Sequence, residues 1–389
     1  MKKWTKRLLW LVLGGWALLV IGVGLSSLNN LTLPTHSQLV DSLSFLEKAR
    51  LQEAFHLRET IGDQVWPGWA EQKIPIIVYN EKNAFLVGYQ NPPPGWLKVP
   101  QRLKQGGQWI PVPDDTFFGE TYYYQPLQPG HTPQSFTVLV GDRWVATMPT
   151  REYMEIYLYS DLHHSLPPVI RTIVPYKLIW RTLLGETDTY IAGLEHESFH
   201  AFQGMTAPSR LDEAENAVRL ESKYPWNDPV FNASWQVESA LLVKAIRARS
   251  DAEAKVLGMQ FLEKRDVRRR AASLSGDLID YERQREWLEG LAKYSEVSIG
   301  RSAAAARGYQ PCDALKSDAD FKNYSTRSLY WSRQLDEVPH LMGHSDEKRF
   351  YYSGMAQAIL LDRLSPGWKQ QILSPGVFQE ELLLRAVTN

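Results

Sequence analysis

Residues 194–203 read Leu-Glu-His-Glu-Ser-Phe-His-Ala-Phe-Gln, with His196-Glu197-x-x-His200 at the centre. In a helix, positions i and i+4 share a face, so the two imidazoles can reach one ion. Glu197, one residue along, can take a proton from a water held beside that ion. The flanks read as helix. Thr187 and Asp188 are start signals, and Ile191, Leu194, Phe199 and Phe202 supply an apolar face. The competing reading is a surface helix with exposed histidines. The apolar face argues instead for a motif inside the fold.

Upstream of the motif the character is different. IPIIVY (74–79), AFLVGY (84–89), ETYYYQ (120–125), SFTVLV (135–140), RWVATM (143–148) and EYMEIYLYS (152–160) are β-rich runs of strand length. Pro- and Gly-containing segments separate them, notably NPPPGW at 91–96 and QPGHTPQ at 128–134. Residues 74–160 therefore read as an antiparallel sheet. Before them, SLSFLEKARLQEAFHLRE (42–59) has helical spacing. After Pro167 the chain reads as helical to its end, with breaks near Pro225, Gly276, Gly308 and Pro339. Strands followed by helices suggest an α+β fold.

The N-terminal residues 8–25, LLWLVLGGWALLVIGVGL, carry no charge. Lys2, Lys3, Lys6 and Arg7 precede them, and no further Lys or Arg occurs until Lys48. A span of about 20 apolar residues crosses a bilayer. The charge asymmetry predicts a single-pass transmembrane helix with a cytoplasmic N-terminus and an extracytoplasmic remainder. Trp10, Trp16 and the lack of an Ala-x-Ala site favour a retained signal anchor over a cleaved signal peptide. The expected division is thus 1–30 for the N-terminus and anchor, 31–165 for a linker helix and β-rich region, and 166–389 for a helical catalytic region.

A net charge of −1 over 389 residues argues against a nucleic-acid partner. The single cysteine, Cys312, precludes an intrachain disulfide and a Cys-based zinc site. The 14 Trp and 18 Tyr suit either a packed core or the lining of a peptide-binding cleft.

A catalytic zinc site usually has three protein ligands and one open position. The residues alone leave the third open. Glu238, in QVESALL (236–242), begins the next strong helix, and Glu221 stands closer in sequence to His200. A further candidate lies in Trp287-Leu288-Glu289-Gly290-Leu291-Ala292-Lys293-Tyr294. With the HExxH motif, this run resembles the gluzincin metallopeptidases of the peptidase-MA-like group. Those enzymes carry a Trp-Leu-x-Glu-Gly-Phe/Leu-Ala-x-Tyr helix whose Glu is the third zinc ligand. The resemblance implies a zincin-like catalytic region with zinc on His196, His200 and Glu289. It also implies a peptide or protein substrate. Two departures stand out: no residue separates Leu288 from Glu289, and Glu289 lies 89 positions after His200 (200 to 289), a far longer gap than gluzincins show. Gly290 is expected to let its helix pack closely on the HExxH helix.

Arg349-Phe350-Tyr351-Tyr352-Ser353-Gly354 precedes the apolar run MAQAILLDRL and is similar to the Tyr-x-x-Gly element of the same family. There the Tyr donates to the oxyanion, which makes Tyr351 the candidate, with Tyr352 as alternative. His163-His164 reads as surface at a strand end. His340 and His344, also four apart, read as loop, as a second metal pair, or, for His344, as a proton donor near the ion. The functional expectation is a zinc metallopeptidase with Glu197 as general base. The competing class is a non-catalytic, membrane-anchored binding module, against which the presence of Glu197 counts.

Overall fold

The computed structural model describes Gly24, residues 26–128 and residues 138–388. Helix α1 (Phe45–Val65) precedes the sheet, and the Ser44 side chain caps it by accepting from the Glu47 N–H at 3.2 Å. Eight short strands follow: β1 (Ile76–Tyr79), β2 (Asn83–Val87), β3 (Trp96–Lys98), β4 (Leu103–Gln105), β5 (Ile110–Pro111), β6 (Tyr123–Pro126), β7 (Val138–Val140) and β8 (Arg143–Pro149). They form one curled sheet in the order β4-β3-β7-β8-β1-β2-β6-β5. Helices α2 (Arg151–Ser165), α3 (Pro168–Ile173), α4 (Tyr176–Leu183), α5 (Thr187–Thr206) and α6 (Pro208–Asn216) come next. Then come α7 (Pro229–Arg247), α8 (Asp251–Ala271) and α9 (Gly276–Arg285), a single π-helical turn at Glu286–Gly290, and α10 (Leu291–Ala305). The chain finishes with α11 (Arg327–Met342), α12 (Lys348–Leu364), α13 (Trp368–Gln371) and α14 (Gln379–Thr388).

The expected fold, an N-terminal transmembrane helix followed by an antiparallel strand region and then a helical zincin-like region, is corrected on several points. No helix among the described residues is long and apolar enough to cross a membrane. The run at 8–25 lies, apart from Gly24, outside the described residues. The sheet is mixed rather than antiparallel, because β1 pairs parallel with β8, Ile76 opposite Ala146. EYMEIYLYS is helix α2 rather than a strand. Its start is fixed by Thr150, whose hydroxyl accepts from the Tyr153 N–H at 3.2 Å while its own N–H donates to Tyr79 O at 2.8 Å. The buried Ile156 and Tyr159 are then three apart on one helical face. Pro339 does not break the chain either, since α11 runs through it.

Both faces of the central strands are buried. Ile76 and Val78 join the core beneath the helices, whereas Ile77 and Tyr79 join a second cluster with Trp96, Trp109 and Val145. All four residues of β1 are accordingly apolar and buried, without the alternation of a half-exposed strand.

Helix α5 lies across β8, and its glycines set how closely. A Cβ on Gly204 would stand 2.5 Å from the Trp144 ring of β8. From the other side α1 supports the helix. Trp66 and Trp69 meet Phe199 edge-on at 5.0 and 5.3 Å, and Arg58 pairs with Glu195 at 3.2 Å, both fully buried. Burial pushes the Glu195 carboxyl up to about 7, against the pull of Arg58.

Candidate metal centre

His196 and His200 project from α5, one turn apart, with ring centroids 4.9 Å apart and their Nε2 atoms separated by 3.2 Å. Glu289 projects from the π-helical turn. Its Oε2 lies 3.5 Å from His196 Nε2 and 3.4 Å from His200 Nε2. Of the described His, Cys, Asp and Glu side chains, these three form a group whose ligand atoms all lie within 4.8 Å of one another. All three are buried. A single π-helical turn inserts an extra residue into a helical run and is common at functional sites. Here it carries the metal-competent carboxylate.

The triad is held from behind. His196 Nδ1 faces Glu296 Oε2 at 3.2 Å, and His200 Nδ1 faces Gln203 Oε1 at 2.9 Å. With each Nδ1 facing an acceptor, both Nε2 atoms point inward, the orientation that ligation through Nε2 needs. Gln203 also donates from Nε2 to the carbonyls of Trp287 and Leu288 at 2.9 and 3.3 Å. One side chain thereby orients His200 and anchors the turn that presents Glu289. Glu296 is itself neutralised by Lys293 Nζ at 2.6 Å and accepts from the Tyr330 hydroxyl at 3.1 Å. Glu289 Oε1 takes a hydrogen bond from Arg285 at 2.9 Å, and Arg285 also reaches Glu347 at 3.1 Å.

The electrostatics favour a cation at this point. Although burial opposes it, Arg285 and the two imidazoles hold the Glu289 carboxyl well below the usual carboxylate range. Glu296 is brought down to about 2 by Lys293 and His196, again against burial. Burial works against a charged His196, yet Glu289 and Glu296 push its imidazole up to about 10. Glu289 Oε2, the atom aimed at both imidazoles, has no hydrogen-bond partner. Apart from the imidazoles at 3.4 and 3.5 Å nothing compensates this buried ionised oxygen, which is expensive. Coordination would satisfy it.

The residues present therefore fit zinc. Bonds of about 2.0–2.1 Å from a tetrahedral ion put its ligand atoms about 3.3–3.4 Å apart. The three edges here are 3.2, 3.4 and 3.5 Å. Two imidazoles and one carboxylate are also a donor set zinc accepts.

Of the candidate third ligands, the structure brings only Glu289 to the histidines. Glu238 is fully buried elsewhere, bound to Arg268 at 3.1 Å and Arg265 at 3.6 Å. Glu221 is exposed on the short 3-10 helix Ala217–Lys223. The Tyr351 ring stacks on His196, centroids 5.8 Å apart and planes at 11°, with its hydroxyl within hydrogen-bonding reach of Glu289. Tyr352 instead donates to Gln334 Oε1 at 2.9 Å. Burial holds the Glu197 carboxyl well above its usual range, and its Oε2 has no partner. His163 and His164 are exposed at the end of helix α2. His344 faces His340, and no hydrogen bond or ion pair among the described residues joins it to the triad.

The expectation for Gly290 needs correcting. Its close neighbour is α12, not α5: a Cβ on Gly290 would stand 2.4 Å from Gly354 Cα, and one on Gly354 would stand 2.4 Å from Glu286 O. The two glycines let α12 press backbone to backbone on the ligand-bearing turn, which brings Tyr351 to the site.

Sequence reasoning passed over Glu296, Gln203, Arg285 and Lys293. Two of them had a readable signal. Gln203 is at i+3 from His200, and Glu296 at i+7 from Glu289, both helical same-face spacings. Glu296→Ala is expected to lower zinc affinity by about 10–100-fold, because His196 loses the partner that fixes its ring. Competition with a chromophoric chelator measures this, and unchanged affinity would rule out an orienting role.

Comparison of the chain with protein-family models, with curated proteins and with solved structures returns no match.

Proposed function

We propose that this chain is a zinc-dependent metallohydrolase acting on amide bonds of a peptide or protein. One observation carries the reading: the His196–His200–Glu289 triangle has the edges of a tetrahedral zinc site, beside a half-buried glutamate, Glu197, whose Oε2 has no hydrogen-bond partner. His196, His200 and Glu289 would hold the ion. When bound, it would supply Lewis-acid polarisation of the substrate carbonyl and lower the pKa of water at the site.

The remaining chemistry belongs to the side chains. Glu197 takes the proton of the attacking water and returns it to the leaving amine. Burial raises its pKa against the pull of His196, so it serves as base only from its ionised form. Tyr351, held against His196 by stacking and by the α12 contact, donates its hydroxyl to the oxygen on which negative charge develops. Gln203 and Glu296 keep both imidazoles in the ligating tautomer.

The test is zinc content measured together with cleavage of casein. The expected result is zinc bound at the triad and proteolysis that a chelator removes and added zinc restores. Bound zinc without turnover on casein or on a peptide library would overturn the hydrolase reading and favour a binding protein. Tyr351→Phe should cut kcat by about 100-fold with zinc content unchanged. Wild-type kcat in that variant would remove Tyr351 from the mechanism.

A further inference from the structure

His340 lies in the last turn of α11, and His344 just beyond it. Their Nε2 atoms are 3.1 Å apart, their ring centroids 4.6 Å apart, and their planes at 76°. The corresponding values for His196 and His200 are 3.2 Å, 4.9 Å and 82°. The second pair thus repeats the convergence of the first, on a different part of the molecule. We propose that His340 and His344 form a second metal site, a two-histidine chelate for an exchangeable divalent transition-metal ion.

The separation suits the chemistry. Metal–nitrogen bonds of about 2.0–2.2 Å place two neighbouring nitrogens about 2.8–3.6 Å apart, in tetrahedral or cis square-planar geometry alike. The pair is also held in place before any ion arrives. At Gly343, between the histidines, a Cβ would stand 2.4 Å from the Gln236 side chain of α7, so the turn is pressed against that helix. On the far side, Arg349 donates from Nε to His344 O at 2.9 Å. Arg349 is fully buried, its guanidinium 5.1 Å from the Trp226 ring and 5.3 Å from that of Trp235. Backbone clamps on both sides of His344 fix the bite of the chelate. The C-terminal end of a helix carries partial negative charge, which further favours a cation in its last turn.

The two centres differ in what surrounds them. Both His340 and His344 are exposed, and no third described His, Cys, Asp or Glu completes a group with them. Water would fill the remaining positions, so the ion should be bound more weakly than at the triad and should exchange. Imidazole donors select Cu2+, Ni2+ and Zn2+ over Mg2+ and Ca2+, with Cu2+ the tightest of these. The proposal does not rest on hydrolase activity.

Cu2+ titration of the full chain, preloaded with zinc and followed by electron paramagnetic resonance, tests it. The expected result is uptake of one further ion, with a nitrogen hyperfine pattern from two imidazoles. His340→Ala/His344→Ala should lose that uptake. His196→Ala/His200→Ala should keep it, which separates this site from the triad whatever the triad does. Circular dichroism confirms that each variant is folded. Two results would overturn the proposal: no Cu2+ uptake by the zinc-loaded wild type, which leaves a hydrogen-bonded imidazole pair only, or equal uptake by the His340→Ala/His344→Ala variant.

Discussion

Glu197→Gln should lower turnover by about 10²–10⁴-fold while zinc stays bound, because it removes the proton acceptor and leaves the ligands in place. The substitution is nearly isosteric. It also removes a carboxyl that burial holds well above its usual range, so the fold loses no ion pair. Zinc affinity and thermal stability should accordingly stay close to those of the wild type. Initial rates on casein, normalised to zinc content, give the measurement. Retained activity at full zinc loading would show that another group takes the proton.

Glu289→Ala should have the largest effect on the metal. Loss of a residue that merely orients a ligand costs about 10–100-fold in affinity. Loss of a ligand itself should exceed that, since it leaves two imidazoles and removes the charge that compensates the ion. Glu238→Ala is the matched control. It breaks a buried pair with Arg268 and Arg265, and deletion of one partner from such a pair typically costs about 3–5 kcal/mol of stability. The two variants should separate cleanly. Both break a buried ion pair and should melt earlier, but only the folded fraction of Glu289→Ala loses zinc, while that of Glu238→Ala binds it normally. Zinc titration beside thermal melts checks this. The reverse pattern, with Glu238→Ala losing zinc and Glu289→Ala binding it, would refute the ligand assignment.

The HExxH helix was legible because its information is local. Four-residue spacing, start signals and an apolar face all lie within residues 187–206. Glu289 is different. Nothing in the spacing connects it to His200 across 89 positions, and only a resemblance in its own segment pointed there. Of the partners that lock the triad, Lys293 was harder still, since it gains meaning only once α10 is docked against α5 and Glu296 meets His196.

The sheet shows the same limit. IPIIVY, AFLVGY and RWVATM mark strands correctly, but the parallel pairing of β1 with β8 joins residues about seventy apart, and no turn between them announces it. EYMEIYLYS misleads for a physical reason. Tyr and Ile favour strands only when a neighbouring strand offers a surface to pack on. Here Thr150 hydrogen-bonds both the end of β1 and the first turn of α2, and so ends the strand there.

The long interval between His200 and Glu289 makes an ion at the triad a removable cross-link. It would close a loop holding α6 to α9. In the chain-entropy account of covalent links, a loop of this size removes on the order of 4–5 kcal/mol of disorder from the unfolded chain. Capture of the metal would thus discriminate between chains that have assembled the intervening helices and chains that have not. A chelator would withdraw more than a reactive centre. It would remove that tether from a quarter of the sequence and leave the ends joined by packing, by Gln203 through the Trp287 and Leu288 carbonyls, and by the pairing of His196 with Glu296.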